Sequence, residues 1–320
     1  WNRILSRTVR KKRSSRKMLW MRYAALFILP LLVGGIVYLS WDSTREVKSE
    51  KTSSQIVPGA SMAEVVLPDG TKVMLDREMN RTLEEGVKNS GDTLNYTEVV
   101  SGGVQDSCEI YHTLRVPRGG EYTLMLADGT TVYLNAESEL IFPKQFKGKN
   151  RKVYLTGEGY FDVRRNEKQP FIVEAQQVAI RVLGTSFGVR AYTREVNVLT
   201  TLVQGRVNVE ADGQQVELNP GQQADFNREN DRLTVAEVDV EQYVGWKNGR
   251  LVFDNKPLEF ILEELGRWYS FDVFYTNKEL KEIPYSLNIK KHEDIAHVLK
   301  FIERTGKVKF EVNKNTIIVK

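Results

Sequence analysis

The chain has 320 residues, enough for two or three domains, and its hydrophobic (41%) and aromatic (10%) contents are ordinary for a globular protein. Its net charge of +4 is unevenly spread: residues 1–41 carry nine Lys/Arg and no acidic residue, and residues 42–320 hold 37 basic and 42 acidic residues, a net of −5. This acidic bulk argues against a nucleic-acid-binding protein, and a single cysteine, Cys108, excludes an internal disulfide and paired-cysteine zinc or redox motifs.

An uncharged segment from Tyr23 to Trp41 predicts a single transmembrane helix. At 1.5 Å per residue it would span about 28 Å, close to the roughly 30 Å of a hydrocarbon core. The basic residues of the stub 1–22 predict that the N-terminus is cytoplasmic and that the rest of the chain lies outside. A cleaved signal peptide is the competing interpretation, but YLSWDS after the apolar run is a poor cleavage site.

Pro30 and the pair Gly34-Gly35 are weak points within this predicted helix. Proline removes a backbone donor and frees a carbonyl one turn earlier. Membrane helices often tolerate such residues, which is one interpretation. The other is a helix that unwinds easily for an intramembrane protease.

Residues 42–111 are predicted to form a membrane-proximal segment that contains a β-hairpin. A polar spacer comes first, and LPDGTKVML at 67–75 then nearly repeats in LADGTTVYL at 126–134. One duplication does not make a solenoid, which needs several repeats. It indicates only that this part of the chain is built from hairpins.

The Asp-Gly pairs of the two copies, Asp69-Gly70 and Asp128-Gly129, predict the hairpin turns. A three-residue loop that ends on a left-handed glycine fits both sequences. With a loop of odd length, odd-numbered residues lie opposite odd-numbered residues and even-numbered residues opposite even-numbered ones. The predicted cross-strand pairs are Val65 with Val73, Leu124 with Val132, and Tyr122 with Leu134.

Residues 112–236 predict an all-β domain, because short stretches rich in β-branched and aromatic residues alternate with Gly, Asn, Asp and Pro. Such a domain is sandwich-like, roll-like or solenoid-like. The predicted strands include Val153–Val163, Phe171–Ala175, Val178–Val189, Val196–Val209 and Gln214–Leu218.

A charged linker at 237–248 leads to a smaller module at 249–320. Its first helix follows Pro257 and its second ends at Gly306, with strands before, between and after them. The predicted fold class is a single transmembrane helix followed by an all-β (solenoid- or sandwich-like) domain and a small C-terminal α/β (βαβ-βαβ) domain.

The sequence contains no motif of a conventional enzyme, cofactor site or metal site. Glu158 and Asp162 lie close together, but carboxylates on one strand are ordinary. The aromatic run WYSFDVFY at 268–275 suits either a sugar-binding platform or the core. We favour the core, because the aromatic residues alternate as they do in a half-buried strand.

Six motifs follow in order between residues 115 and 226: RVPRGGEYTLMLADGTTVYLNAESELIFP, LTGEGYFDV, PFIVEA, VLGTSFGVRAY, LVQGRVNV and LNPGQQADF. Together they resemble the FecR family of membrane-bound sigma-factor regulators. The C-terminal module is similar to the secretin/TonB short N-terminal-type domain that often ends these proteins. The resemblance covers about residues 112–320.

The resemblance implies an anti-sigma factor of the inner membrane, single-pass, with a cytoplasmic N-terminus and a periplasmic bulk. In the family, a substrate-loaded TonB-dependent outer-membrane transporter offers its periplasmic signalling domain to the regulator. The regulator is then cut, finally by a site-2-type intramembrane protease, and an extracytoplasmic-function sigma factor is released or activated. The resemblance implies no cofactor and no direct contact with nucleic acid.

The stub 1–22 departs from the family pattern, in which a helical sigma-binding domain of several dozen residues precedes the membrane. The chain also starts with Trp1 rather than Met. We therefore expect the stub to be the end of a truncated sigma-binding region, since so short a segment cannot bury a core of its own.

The motif VLGTSFGV suggests a self-cleavage bond at Gly184-Thr185. In some relatives the threonine hydroxyl attacks the preceding carbonyl in an N→O acyl shift, and water then cuts the ester. The alternative is a glycine at a strand bend beside a β-favouring threonine, which we prefer. The functions left open are thus a signal transducer, a self-processing protein, and a membrane-anchored periplasmic scaffold or glycan-binding β protein.

Overall fold

A computed structural model describes residues 56–99 and 109–320, which belong to one compact unit of the chain. Strands predominate among them, with three short α-helices. The helices are α1 Glu241–Val244, α2 Leu258–Tyr269 and α3 Ile295–Glu303. The strands are β1 Ala60–Val66, β2 Lys72–Asp76, β3 Arg81–Glu84, β4 Val87–Ser90, β5 Thr93–Asn95, β6 Tyr111–Val116, β7 Gly120–Met125, β8 Thr131–Leu134, β9 Ser138–Pro143, β10 Arg151–Asp162, β11 Phe171–Ala175, β12 Val178–Val182, β13 Ser186–Ala191, β14 Asn197–Gln204, β15 Val207–Ala211, β16 Gln214–Leu218, β17 Gln222–Asn227, β18 Arg232–Glu237, β19 Arg250–Pro257, β20 Asp272–Tyr275, β21 Pro284–Lys290, β22 Phe310–Asn313 and β23 Thr316–Val319.

Strands β1–β18 form the β body, in which two sheets share one hydrophobic core. The first sheet has the order β2-β1-β6-β9-β10-β11-β12-β15-β16. The second sheet has the order β3-β4-β5-β7-β8-β10-β13-β14-β17-β18. From β11 onward, successive pairs of strands alternate between the two sheets.

Strand β10 belongs to both sheets, because its first half pairs with β9 and β11 and its second half with β8 and β13. The change occurs at Gly157, which has φ +95 and where a Cβ would lie 2.4 Å from the Ser138 hydroxyl oxygen. Only glycine fits such a position. The single strands predicted at 178–189 and 196–209 are each two strands, because the chain changes sheet between β12 and β13 and between β14 and β15.

The core between the sheets follows the period-two alternation of strands. In β12, Val178, Ile180 and Val182 are buried, and the residues between them are more exposed. Phe161 of the second sheet lies 6.3 Å from Phe171 of the first, measured between ring centroids. Burying each such side chain contributes about 1.5–3 kcal/mol.

The three-residue register predicted for the two hairpins is confirmed. Val65 lies opposite Val73, Leu124 opposite Val132, and Tyr122 opposite Leu134. Both turn glycines have φ +84, the left-handed conformation that this loop requires.

The C-terminal module, residues 241–320, has strand pairing different from two βαβ units. Strand β19 pairs with β21, antiparallel, in a two-stranded sheet. Strand β20 lies in a separate sheet of order β20-β23-β22. In this sheet β20 is parallel to β23, and β22 is antiparallel to β23. The helices α2 and α3 cover these sheets through Ile261, Leu265, Val298 and Ile302, all buried. The order of helices and strands along the module was predictable from the sequence, whereas the pairing of its strands was not.

The predicted fold class is therefore wrong as stated. Strands predominate throughout the described residues, and the module does not pair its strands as βαβ-βαβ. Of the helices in 56–99 and 109–320, none has the length and apolar character needed to cross a bilayer. The helix predicted at 23–41, with Pro30, Gly34 and Gly35, lies outside the described residues, as does Cys108.

Candidate functional site: the junction of the β body and the module

The outer face of the second sheet carries a row of polar side chains where the C-terminal module covers it. Register places Glu158 opposite Arg190, Arg190 opposite Leu199, and Leu199 opposite Asp225. Residues directly opposite each other on adjacent strands share a face. The residues that alternate with them, such as Val189 and Phe226, fill the core on the other side.

Arg190 is the centre of this row and is only 8% exposed. Its guanidinium donates two hydrogen bonds of 2.7 Å to Glu195 of the body. It donates two more, of 2.6 and 3.1 Å, to Glu264 on α2. Glu158 lies 3.7 Å away. Arg190 therefore ties the body to the module through bidentate pairs, the strongest geometry for such contacts.

Two cations of the module bind the body in return. Arg267 on α2 donates to Glu195 at 2.8 Å and lies over the ring of Tyr192. The ammonium of Lys291, a residue that is 1% exposed, donates to Glu121 at 2.6 Å. The same ammonium lies 4.0 Å from the ring centroid of Trp268. Each of these buried cations thus has both a carboxylate and an aromatic face.

Burial and charge move the pKa values of these groups in opposite directions. Burial raises the pKa of Glu158 to about 7, with partial compensation by Arg190. Burial also disfavours the ionised form of Glu264, but Arg190 and Arg267 outweigh it and lower the pKa of that carboxyl. Burial lowers the pKa of Lys291, opposed by Glu121. Glu158 is thus the group in the junction that titrates near neutrality.

A loop of the β body adds backbone contacts to the junction. Arg118 donates to the carbonyls of Gly266 and Phe271 at the end of α2 and to the carboxylate of Asp272. The amide of Gly119 donates to the carbonyl of Arg267 at 2.7 Å. These bonds satisfy carbonyls that the end of a helix leaves without intrahelical partners.

The contacts of the junction hold the β body and the module together. The charged groups Arg190, Glu195, Glu264 and Arg267 pair with one another, and no three His, Cys, Asp or Glu side chains among the described residues are placed to hold a metal ion. Removing one partner of a buried ion pair costs about 3–5 kcal/mol because a charge is left uncompensated. These contacts therefore contribute to the position of the module, together with apolar packing against Tyr160 of the body.

Gly184 and Thr185 lie outside the junction, where the chain crosses from β12 to β13. A Cβ at Gly184 would lie 2.5 Å from the Cα of Arg165, so the crossing requires glycine. The Thr185 hydroxyl is buried and donates to the carbonyl of Arg206 at 2.9 Å, a backbone group and not an ionisable base. This geometry fits a strand bend.

The two Asp-Gly turns have different surroundings. Asp69 accepts hydrogen bonds from the amide and hydroxyl of Thr71, and these bonds lower its pKa. Asp128 makes the equivalent bonds to Thr130 and also accepts a 2.6 Å bond from buried Arg151. The side chain of Asp69 thus bonds only within its own turn, whereas Asp128 also binds strand β10 through Arg151.

The aromatic run at 268–275 lies mostly in the core of the module. Trp268, Tyr269 and Phe271 are buried, the first two in α2 and not in a strand, whereas Phe274 on β20 is 59% exposed. A sugar platform built from this run is therefore absent.

Sequence reasoning missed the junction. Glu158 was set aside as an ordinary strand carboxylate, and Arg190 and Glu264 are 74 residues apart. The available signal is the placement of two charges at strand positions flanked by Gly, Val or Ala, in GEGY and GVRA. These charges can be recognised as a buried pair only when the pairing of strands β10 and β13 is known.

Comparison with known proteins gives matches to both parts of the described structure. The family profile described as FecR protein matches residues 112–208, and the profile described as FecR, C-terminal matches residues 250–319. No curated protein matches the chain.

Two crystal structures of a candidate anti-sigma factor from Parabacteroides distasonis, at 1.65 and 2.50 Å resolution, are similar to this chain. Each is 26% identical to it with a TM-score of 0.61, and the alignment covers 98% of the crystallised chain. It covers 65% and 66% of this chain, respectively.

Proposed function

The chain belongs to the FecR family, and from that premise we propose that it is an anti-sigma-type regulator whose partner is a sigma factor. The observation that carries the proposal is the pair of family matches. Together they span more than half of the chain, with the FecR match first and the C-terminal match after it. The related structure from Parabacteroides distasonis, itself described as a candidate anti-sigma factor, supports it. In the structure, buried ion pairs join the module to the β body.

Within this role we propose a relay across the cell envelope. The module binds the periplasmic signalling domain of a substrate-loaded TonB-dependent outer-membrane transporter. Regulated proteolysis of the chain, ending with a site-2-type protease, then changes the activity of an extracytoplasmic-function sigma factor. The described part of the chain acts in the periplasm, at the inner membrane.

The strand edge of β22 supports the first step of this relay. Within the described residues β22 pairs only with β23, and Val312 is 50% exposed. Lys309 and Lys320 exchange both of their backbone hydrogen bonds. Alternation along an antiparallel pair therefore directs the N–H and C=O of Val312 away from β23. An extended segment of a partner can pair with these groups by strand addition.

Two experiments test the proposal. The product of the complete gene, with any sigma-binding region ahead of Trp1, should bring down a sigma factor when it is purified from its native host, and a transporter's periplasmic signalling domain should capture the chain. Capture by peptidoglycan with no capture by the transporter domain would instead support the scaffold function. If the purified chain binds neither a sigma factor nor the transporter domain, the proposal is wrong.

A further inference from the structure

A cavity of about 220 Å³ lies within the junction, between the outer face of the second sheet and the module. The sheet supplies its floor through the polar row that contains Glu158, Arg190 and Asp225. The module supplies the roof, from α1, the turn that follows it, β19 and α2. Any molecule in this cavity would contact both parts of the protein at once.

The floor contains an acceptor that no described group satisfies. Asp225 Oδ2 accepts a hydrogen bond from Asn197 at 3.0 Å, whereas Asp225 Oδ1 is buried without a donor. Burial raises the pKa of this carboxyl. A buried polar atom without a partner costs about 1–3 kcal/mol, so such an atom beside a cavity calls for an explanation.

The roof is aromatic. Tyr243, Trp246 and Phe260 all line the cavity. Flat rings pack well against the C–H faces of a small ring, and Tyr and Trp add a polar edge. Aromatic walls with a few placed polar groups are typical of small-molecule sites.

Above the pKa of Glu158, which is about 7, the charges that line the cavity balance, so the lining then favours a ligand without net charge. The charged lining residues are three carboxylates, Glu158, Asp225 and Glu264, and three cations, Arg190, Arg250 and Lys256. Arg190 and Glu264 already pair with each other, which leaves hydrogen bonding as the main means of recognition. Carboxylate, amide and guanidinium groups together offer donors and acceptors to hydroxyl groups, each of which can both give and accept a bond.

We propose that the junction cavity binds a small neutral polyol of monosaccharide size, with a hydroxyl donating to Asp225 and a ring face against the aromatic roof. Binding there joins the body to the module and stabilises the arrangement in which the module is docked. This inference goes beyond the proposed relay and does not depend on a transporter or a sigma factor.

The test is calorimetric titration of the purified full chain with glucose, galactose, mannose, xylose and N-acetylglucosamine. At least one sugar should bind. Asp225→Asn should weaken that binding tenfold or more, because the amide keeps the bond to Asn197 but replaces a charge-assisted hydrogen bond to the ligand hydroxyl with a weaker neutral one. Leu199→Phe should abolish it by filling the cavity, since Leu199 lines the floor. Asp212→Asn, the same change in a remote hairpin turn, should bind like the wild type.

Three results would overturn the proposal. The first is that no sugar gives a heat of binding at concentrations up to about 10 mM. The second is equal binding by the wild type and the Asp225→Asn variant, and the third is binding of a zwitterion such as glycine when no sugar binds. Melting curves of each variant show whether it is folded. If Leu199→Phe does not fold, the comparison of Asp225→Asn with Asp212→Asn decides the matter.

Discussion

At the scale of single residues, Arg190 is expected to stabilise the fold through the junction. Its side chain is buried and contacts Glu195 and Glu264 by bidentate bonds. Arg190→Ala removes the cation that Glu158 pairs with and leaves Glu195 and Glu264 with Arg267 alone. We expect the free energy of unfolding to fall by about 3–5 kcal/mol, measured by urea denaturation.

Arg206→Ala is the matched control for this change. Arg206 pairs with Glu217 at 3.0 Å, but both side chains are more than half exposed to solvent. Exposed pairs of this kind contribute about 0–1 kcal/mol. Equal losses of stability in the two variants would contradict the role assigned to Arg190.

Glu158 gives the junction a pH dependence. Its pKa is about 7 when folded against 4.5 ordinarily, so between those values the folded state holds a proton that the unfolded state has released. Its contribution to stability is present below pH 4.5 and is lost as the pH rises through 7. We expect the difference in unfolding free energy between the wild type and Glu158→Gln to fall, on the order of 3 kcal/mol, from pH 4.5 to 8. A difference that does not change with pH would refute this assignment.

Thr185 is expected to be structural. Its hydroxyl is engaged with the carbonyl of Arg206 at a crossing between the sheets. We therefore predict that the purified chain has a single full-length mass and that Thr185→Ala has the same pattern. A fragment beginning at Thr185, absent from the Thr185→Ala variant, would show that the bond is cleaved.

At the scale of elements, β22 is the segment whose backbone is available to a partner. Proline at position 312 removes the outward N–H, and an edge strand tolerates proline where that N–H faces solvent. We expect Val312→Pro to abolish capture by the transporter's signalling domain and Val312→Thr, which keeps the N–H, to retain it. Unchanged capture by a folded Val312→Pro variant would exclude this edge as the contact.

Elements whose geometry is set locally were predictable from the sequence. The hairpin around Asp128-Gly129 follows from loop length and a left-handed glycine, and its register is as predicted. The helix α2 follows from a 3.6-residue stripe after Pro257. A bend at Gly184 is the interpretation that the sequence favours, but the predicted strands 178–189 and 196–209 run through Gly184 and Gly205, because only tertiary structure shows that the chain changes sheet at these two points.

The candidate site could not be predicted, because it depends on pairings between distant segments. Nothing local distinguishes Glu158 from an exposed strand carboxylate until β13 places Arg190 opposite it. The module had to dock on the same face to bring Glu264 there. The pairing of β19 with β21 instead of β20 is a choice of the same kind, since hydrophobic pattern fixes which face is buried but not which neighbour covers it.

At the scale of the whole molecule, the junction joins two parts that each have a core. One hydrophobic cluster lies between the sheets of the body, and the other fills the module and includes Tyr160 of the outer sheet face. Between them lie the buried pairs of Arg190, Arg267 and Lys291. Two cores with a shared buried boundary unfold together only as long as that boundary holds.

We therefore predict that the wild-type body and module unfold in a single transition in differential scanning calorimetry, with the calorimetric enthalpy equal to the van 't Hoff enthalpy. The double variant Arg190→Ala, Lys291→Ala removes two of the cations that cross the boundary and should separate the trace into two transitions. The control Arg206→Ala, Lys320→Ala removes two exposed pairs and should leave one transition. A double junction variant that still unfolds in one step would mean that apolar packing alone, and not the buried charges, couples the module to the body.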